Sequence, residues 1–204
     1  MLERLAEFSK NKGAVRQFAI RQAADMLIAA GVQFPESRQS ILPEGAIRIP
    51  VSDKTAGKDN RGLERLLDST KGLDVSSWAR DIIRRIPTSE EPQEIDELMA
   101  FDASTMGLSE NPTTKQAWKR GLELGDKVPA KKAIDMAIDA AEGKIKVEIG
   151  KPLVAIMDPI ADSRGDPRVF GLGRYGDGLW LDAYYARPEY RWYSGVQFVV
   201  SPRK

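Results

Sequence analysis

The chain has 204 residues, 42% of them hydrophobic and 30% charged, which is the composition of a globular protein able to bury a core without covalent staples. It contains no cysteine and no histidine, so disulfides, thiolate nucleophiles, Ser-His-Asp catalysis and the usual ligands of zinc, copper and haem are excluded. The net charge is +1, with an acidic middle (residues 86–143) between two mildly basic ends, an imbalance too small to predict nucleic-acid binding by itself.

Any chemistry must therefore run on Asp, Glu, Lys, Tyr, Ser or Thr, and a hard metal such as magnesium or calcium, which takes carboxylate and carbonyl oxygens, stays open. The opening run Met1–Phe8 mixes charges with apolar residues, so neither a signal peptide nor a membrane anchor is expected there. No apolar run approaches the roughly 18 residues of a membrane helix. A cytoplasmic protein with no membrane partner is the expectation.

In chain order, Val15, Phe18, Ala19, Met26, Leu27 and Ala30 recur at helical spacing and Gly31 closes the pattern. The segment 33–60 is rich in Pro, Gly, Ser and charge and is read as a loop, with residues 54–62 its most mobile part. Only Ala46–Val51, which alternates, interrupts it as a short strand. A short helix is predicted over 62–67, then one N-capped by Asp74 with Trp78, Ile82, Ile83 and Ile86 on its face, stopped by Pro87. Thr88 and Glu91 have capping-box spacing ahead of a predicted helix bearing Ile95, Leu98 and Met99. Two more helices follow, one from Asn111-Pro112 to Gly125 with Trp118 and Leu122, one from Pro129 to Gly143 with Ala133, Ile134, Ala137, Ile138 and Ala141.

After residue 143 the period changes from helical to two. Lys144–Ile149 alternates charged and apolar residues, and strand-like runs follow at 153–157, 168–172, 179–185 and 196–200. Turn chemistry at 162–167 and 175–178 separates them. The expected fold is α+β, a helical N-terminal two-thirds followed by a C-terminal antiparallel β-meander, divided into a mainly helical region 1–87 with a long loop and a second region 88–204.

Gly171-Leu172-Gly173-Arg174-Tyr175-Gly176 matches the dinucleotide-binding fingerprint, but that motif needs a following helix and here a strand follows, so hairpin glycines serving positive φ are the reading. Asp162 and Asp166 flank a turn that could hold calcium, yet Arg164 stands where an oxygen ligand belongs and no bidentate Glu follows. Basic clusters at Lys10, Lys12, Arg16 and Arg21 and at Arg80, Arg84 and Arg85 could face phosphates or be solvated helix faces. Glu90, Glu91, Glu94, Asp96 and Glu97 fit a solvated helix start.

The tail is the most unusual segment. Trp180, Tyr184, Tyr185, Tyr190, Trp192 and Tyr193 are interleaved with Arg174, Arg187 and Arg191, the three residue types that dominate binding hot spots. If Leu179, Leu181 and Ala183 face the core, Trp180, Asp182 and Tyr184 share the opposite face. The alternative is a small aromatic core under the 187–195 loop, and the residues alone leave both open.

Asp158-Pro159-Ile160, Asp162-Ser163, Pro167–Phe170, Gly176–Leu181, Ala186–Pro188, Trp192 and Phe198–Val200 together resemble the ending of a set of uncharacterised bacterial hypothetical proteins with a Trp-rich C-terminal pattern. Glu90–Asp96 and Gly121–Gly125 are similar to upstream parts of that set, so the resemblance spans about residues 88–204. Arg164 and Gln197 depart from its pattern. The resemblance implies a shared C-terminal module and no activity.

The functional expectation is a non-catalytic binding protein with no cofactor, metal or catalytic residue. Its recognition residues are Arg174, Trp180, Tyr184, Tyr185, Arg187, Tyr190, Arg191 and Trp192, and its partner is a protein or a small ligand. A nucleic-acid-binding accessory protein is the alternative, and a metal-dependent hydrolase built on Asp158, Asp162 or Asp166 a second one.

Overall fold

The computed structural model describes residues 45–88, 94–176 and 178–203, all within a compact unit of residues 42–204. The helix predicted over 15–30, the basic residues Lys10 to Arg21, the loop up to residue 44 and the capping pair at Glu91 lie outside the described residues.

Among the described residues, four helices are interleaved with eight strands. In chain order they are β1 (Ile47–Pro50), α1 (Asn60–Ser69), β2 (Leu73–Val75), α2 (Ser77–Ile83), β3 (Glu97–Asp102), α3 (Thr114–Leu124), α4 (Ala130–Ala141), β4 (Leu153–Ala155), β5 (Ile160–Ala161), β6 (Pro167–Tyr175), β7 (Gly178–Tyr185) and β8 (Gln197–Val200). The strands form one mixed sheet in the order β1-β3-β8-β4-β6-β7-β2, with β5 added to β6. Only β8 with β4 and β7 with β2 run parallel; the other pairs are antiparallel.

The expectation of a helical front followed by a meander is therefore corrected. Helices are interleaved among strands, and three strands come from before residue 103. The segment read as a helix around Leu98 and Met99 is β3, in which Leu98, Met99, Ala100 and Phe101 are all buried because β1 and β8 flank it and both its faces are covered. A run of apolar residues closed on both faces has no period to read. At the other end, β8 leaves the meander. The Ala186–Val196 connection carries it from β7 past β6 and β4 to lie between β3 and β4, where Phe198, Val199 and Val200 are fully buried. Lys144–Ile149 is no ladder strand; it joins the sheet through a single bridge, Ile149 to Arg174.

Helix starts follow local chemistry. Asp59 accepts from Gly62 N to cap α1, Ser76 accepts from Ala79 N to cap α2, and Thr113 with Gln116 forms a reciprocal capping box at α3. Asp74, expected as a cap, lies in β2 instead.

One face of the sheet carries Phe170, Leu172, Leu179, Leu181 and Ala183, all buried, beneath α2 and α4. α3 lies on the other face over β8, so close that a Cβ on Gly121 would meet Ile156 Cδ1 at 2.1 Å. Because α3 stops there, the β6-β7-β2 part of that face has no helix over it among the described residues.

α4 is buried nearly all round, including Lys132, Asp135 and Asp139. These ions are tied to the loop after β1. Thr55 donates to Asp135 through its N–H and its hydroxyl (2.9 Å each), Ser52 N–H donates to Asp139 (2.7 Å), and Lys132 Nζ donates to the Ser52 carbonyl (2.9 Å). The segment expected to be the most mobile is thus anchored at Thr55, which is 1% exposed, because buried carboxylates need those donors.

Candidate functional site

β7 alternates as its sequence pattern indicates. Leu179, Leu181 and Ala183 point into the core, and Trp180, Asp182 and Tyr184 point to the face that no helix among the described residues covers. Opposite them on β6 stand Gly173, Gly171 and Val169. Gly171 and Gly173 have no positive φ, so the reading that they serve left-handed positions is corrected; of the motif's three glycines only Gly176, in the turn, does so, at φ +57°. What these glycines provide is room. A Cβ on Gly171 would lie 2.4 Å from Tyr184 Cε2, one on Gly173 would lie 2.9 Å from Tyr175 Cε2, and one on Gly178 would lie 2.8 Å from Trp180 Nε1. Three aromatic rings therefore sit directly on three glycine backbones.

The rings stay partly open to water, with Tyr175 48%, Trp180 37% and Tyr193 44% exposed. The Tyr175 and Tyr184 hydroxyls share a hydrogen bond, and Tyr193 lies beside Tyr175. Burial, then these neighbours, push the Tyr184 phenol up and the Tyr193 phenol to about 12, so both remain neutral donors at physiological pH. Two carboxylates edge the platform. Asp182 accepts from Ser76 Oγ (2.6 Å) and from Ala183 N–H (2.7 Å). Asp74 on β2, paired in register with Trp180 of β7, is exposed, and its carboxylate makes no hydrogen bond or ion pair with the described residues. On this face the β6, β7 and β2 positions carry no Lys or Arg, because Arg168 and Arg174 alternate to the opposite side.

The eight residues singled out in the sequence fall into four places. Trp180 and Tyr184 are on the platform. Trp192 is 1% exposed and belongs to the core, stacked on Trp118 (6.1 Å) and edge-on to Phe198 (5.9 Å), with its indole N–H on Thr114 Oγ1. Tyr190 lies at the rim, edge-on to Trp192, and Arg191 donates to the Asn111 carbonyl beside it. Arg174, Tyr185 and Arg187 are turned away: Arg174 donates to the Val147 carbonyl, and Arg187 pairs with Asp166. Tyr175, Asp74 and Asp182 were not among the residues read from sequence as recognition residues. The signal for Tyr175 was the glycine pair at 171 and 173, which permits a ring to lie against the strand.

On the opposite face, cations and rings alternate. Arg168, 4% exposed, is held between Trp78 (4.3 Å) and Tyr185 (3.6 Å), its Nε donating to Asp162 (3.0 Å) and its Nη1 to the Ala183 carbonyl (3.1 Å). Arg164 covers the outer side of Trp78 (5.1 Å), and Arg187 lies 5.9 Å from Tyr185.

The aspartates of the hydrolase alternative do not converge. Asp158 pairs with Lys127, Asp162 with Arg168 and Asp166 with Arg187. Among the described residues no three acidic side chains are placed to hold a metal ion, and no helix is long and apolar enough to cross a membrane. Arg80, Arg84 and Arg85 of the basic patch pair with Asp68, Glu64 and Asp81. No protein-family model, curated protein or solved structure matches the chain.

Proposed function

We propose that the protein is a binding protein that recognises its ligand on the ring platform formed by Tyr175, Trp180, Tyr184 and Tyr193. The observation that carries this reading is the seating of three rings on Gly171, Gly173 and Gly178, which leaves Tyr175 and Trp180 with a face toward solvent. Rings laid on a sheet offer large, rigid contact area at low entropic cost, and neutral phenols at their edge add directional donors. The recognition surface is narrower than the tail's composition suggested, since Trp192 serves packing and Arg174 and Arg187 serve the other face. By the same reading, the bacterial proteins whose Trp-rich ending this chain resembles present the counterpart of Trp180 on a sheet of this kind.

The nucleic-acid alternative finds no support on the platform, whose edge charges are the carboxylates of Asp74 and Asp182 and would repel phosphates. The test is an amide-resonance screen of the full chain against a mixed panel of saccharides, nucleosides, planar cations and short peptides. Hits are expected to shift Gly171–Tyr175 and Gly178–Tyr184 together and to vanish in Trp180→Ala. Hits that cluster elsewhere, or that persist in that variant, would overturn the reading.

A further inference from the structure

The two faces of the β6-β7 hairpin carry the same recognition chemistry in two conditions. On the covered face a guanidinium lies between an indole and a phenol and is neutralised by a carboxylate: Arg168 between Trp78 and Tyr185, on Asp162. On the open face an indole, two exposed phenols and two carboxylates stand together, namely Trp180, Tyr175, Tyr193, Asp74 and Asp182, and no strand position there supplies a cation. From this juxtaposition, and resting on the platform reading above, we infer that the open face binds an arginine-bearing peptide segment of a partner protein.

The geometry favours arginine over other cations. The rings are seated against the sheet and form a floor rather than a cage, so a compact ammonium would meet one ring, whereas a planar guanidinium stacks flat on a floor and still presents N–H groups at its edge. The acceptors for those N–H groups are at the floor's edge. The Asp74 carboxylate makes no hydrogen bond or ion pair with the described residues, and only one carboxylate oxygen of Asp182, Oδ1, is engaged by Ser76 and Ala183. Charge complementarity sets the sign, because carboxylates and ring faces both attract cations. β2, which carries Asp74, ends the sheet among the described residues. An extended peptide lying along it would turn alternate side chains to this face beside Asp74, from where an arginine's long stem reaches toward Trp180.

The test titrates three blocked pentapeptides with two arginines, two lysines or two citrullines between glycines into the full chain, followed by the amide and ring resonances of Tyr175, Trp180 and Asp182. The arginine peptide should bind saturably, the lysine peptide about threefold more weakly and the uncharged citrulline peptide about tenfold more weakly. Asp74→Asn, an exposed change that leaves the fold intact, should weaken the arginine peptide about tenfold, and added salt should weaken it further. Equal binding of citrulline and arginine peptides, no effect of Asp74→Asn, or no saturable shift at millimolar arginine peptide would each overturn the inference. Shifts of the same rings by a neutral oligosaccharide such as cellohexaose, with none by the arginine peptide, would remove the partner class and leave the platform standing; silence from both would count against both.

Discussion

Replacing Gly171 by Ala tests whether the platform's rings are seated on glycine. The new methyl would lie 2.4 Å from Tyr184 Cε2 and 2.6 Å from Cδ2, against the roughly 3.5–4.0 Å at which two carbons are content. The ring must lift by about 1 Å, and it has little freedom to do so, since it packs against Trp192 (5.9 Å between centroids) and is tied through its hydroxyl to Tyr175. Overpacking of this kind costs about 2 kcal/mol, which for a chain of this length lowers Tm by roughly 4–8 °C. Elsewhere in a strand the same change gains about 0.5–1 kcal/mol by restricting the unfolded chain. A double-mutant cycle separates the two effects. Tyr184→Ala is destabilising by itself, but in that background Gly171→Ala should be neutral or stabilising, a coupling of about 2–3 kcal/mol measured by urea denaturation. An equal loss in both backgrounds would mean that the glycine is needed for the backbone, and the ring-seat argument would be wrong.

Other perturbations probe the frame around the platform. Gly121→Ala should lower stability by about 1–3 kcal/mol in urea melts, because its Cβ would meet Ile156 Cδ1 at 2.1 Å, and Ile156→Val, which removes that atom, should restore most of the loss. Arg168→Lys should lower the denaturation midpoint more than Arg187→Lys, since a lysine cannot stack between Trp78 and Tyr185 while serving Asp162 and Ala183, whereas Arg187 is half in solvent. Burial pushes the Asp135 carboxyl up to about 6, above its unfolded value of 3.8, against the hydrogen bonds from Thr55 and the charge of Lys132. The folded state then holds this proton more tightly than the unfolded one, so ionisation of Asp135 removes stability as pH rises from about 4 to about 6. Asp135→Asn should flatten that part of the stability profile in melts taken across it; an unchanged slope would show that another group sets it.

Much of the helical structure was legible because caps and amphipathic stripes are local. The pattern at Asn111–Gly125 and at Pro129–Gly143 encloses α3 and α4, and the alternation of Leu179 to Tyr185 shows in β7. What was not legible is what several parts of the chain decide together. Leu98-Met99-Ala100 are good helix formers in a run without a readable period, and only pairing with β1 and β8 makes it a strand. β8 was expected to follow β7 in the sheet, and nothing within Gln197–Val200 reveals that its partners are β3 and β4. In the site, Trp180 and Tyr184 followed from period two, but the sorting of Trp192 into the core and of Arg174 and Arg187 to the far side needed the register and the position of α3. Gly171 and Gly173 were visible as glycines and misread as turn residues, because a ring seated on a strand leaves no local mark beyond the missing side chain.

That missing side chain is the strongest argument for function at this face. Glycine is among the poorest strand residues, and Val or Thr at 171, 173 and 178 would pair and pack better. The strands instead accept a local penalty at three positions that fall on one face of one hairpin, each under a ring that remains partly exposed. Stability alone would favour the opposite choice, branched residues in the strands and no exposed indole. Violations of local preference that converge on one surface are found at functional or strained sites, and it is on this convergence that the binding proposal rests. The groove of about 310 Å³ between β1 and residues 144–151 shows no such convergence. There Arg48, Lys144 and Lys151 are already neutralised by Glu97, by Asp139 with Glu142, and by Glu148. A ligand for this protein is therefore to be sought over Gly173 and Trp180, where the rings are open and the carboxylate of Asp74 has no partner among the described residues.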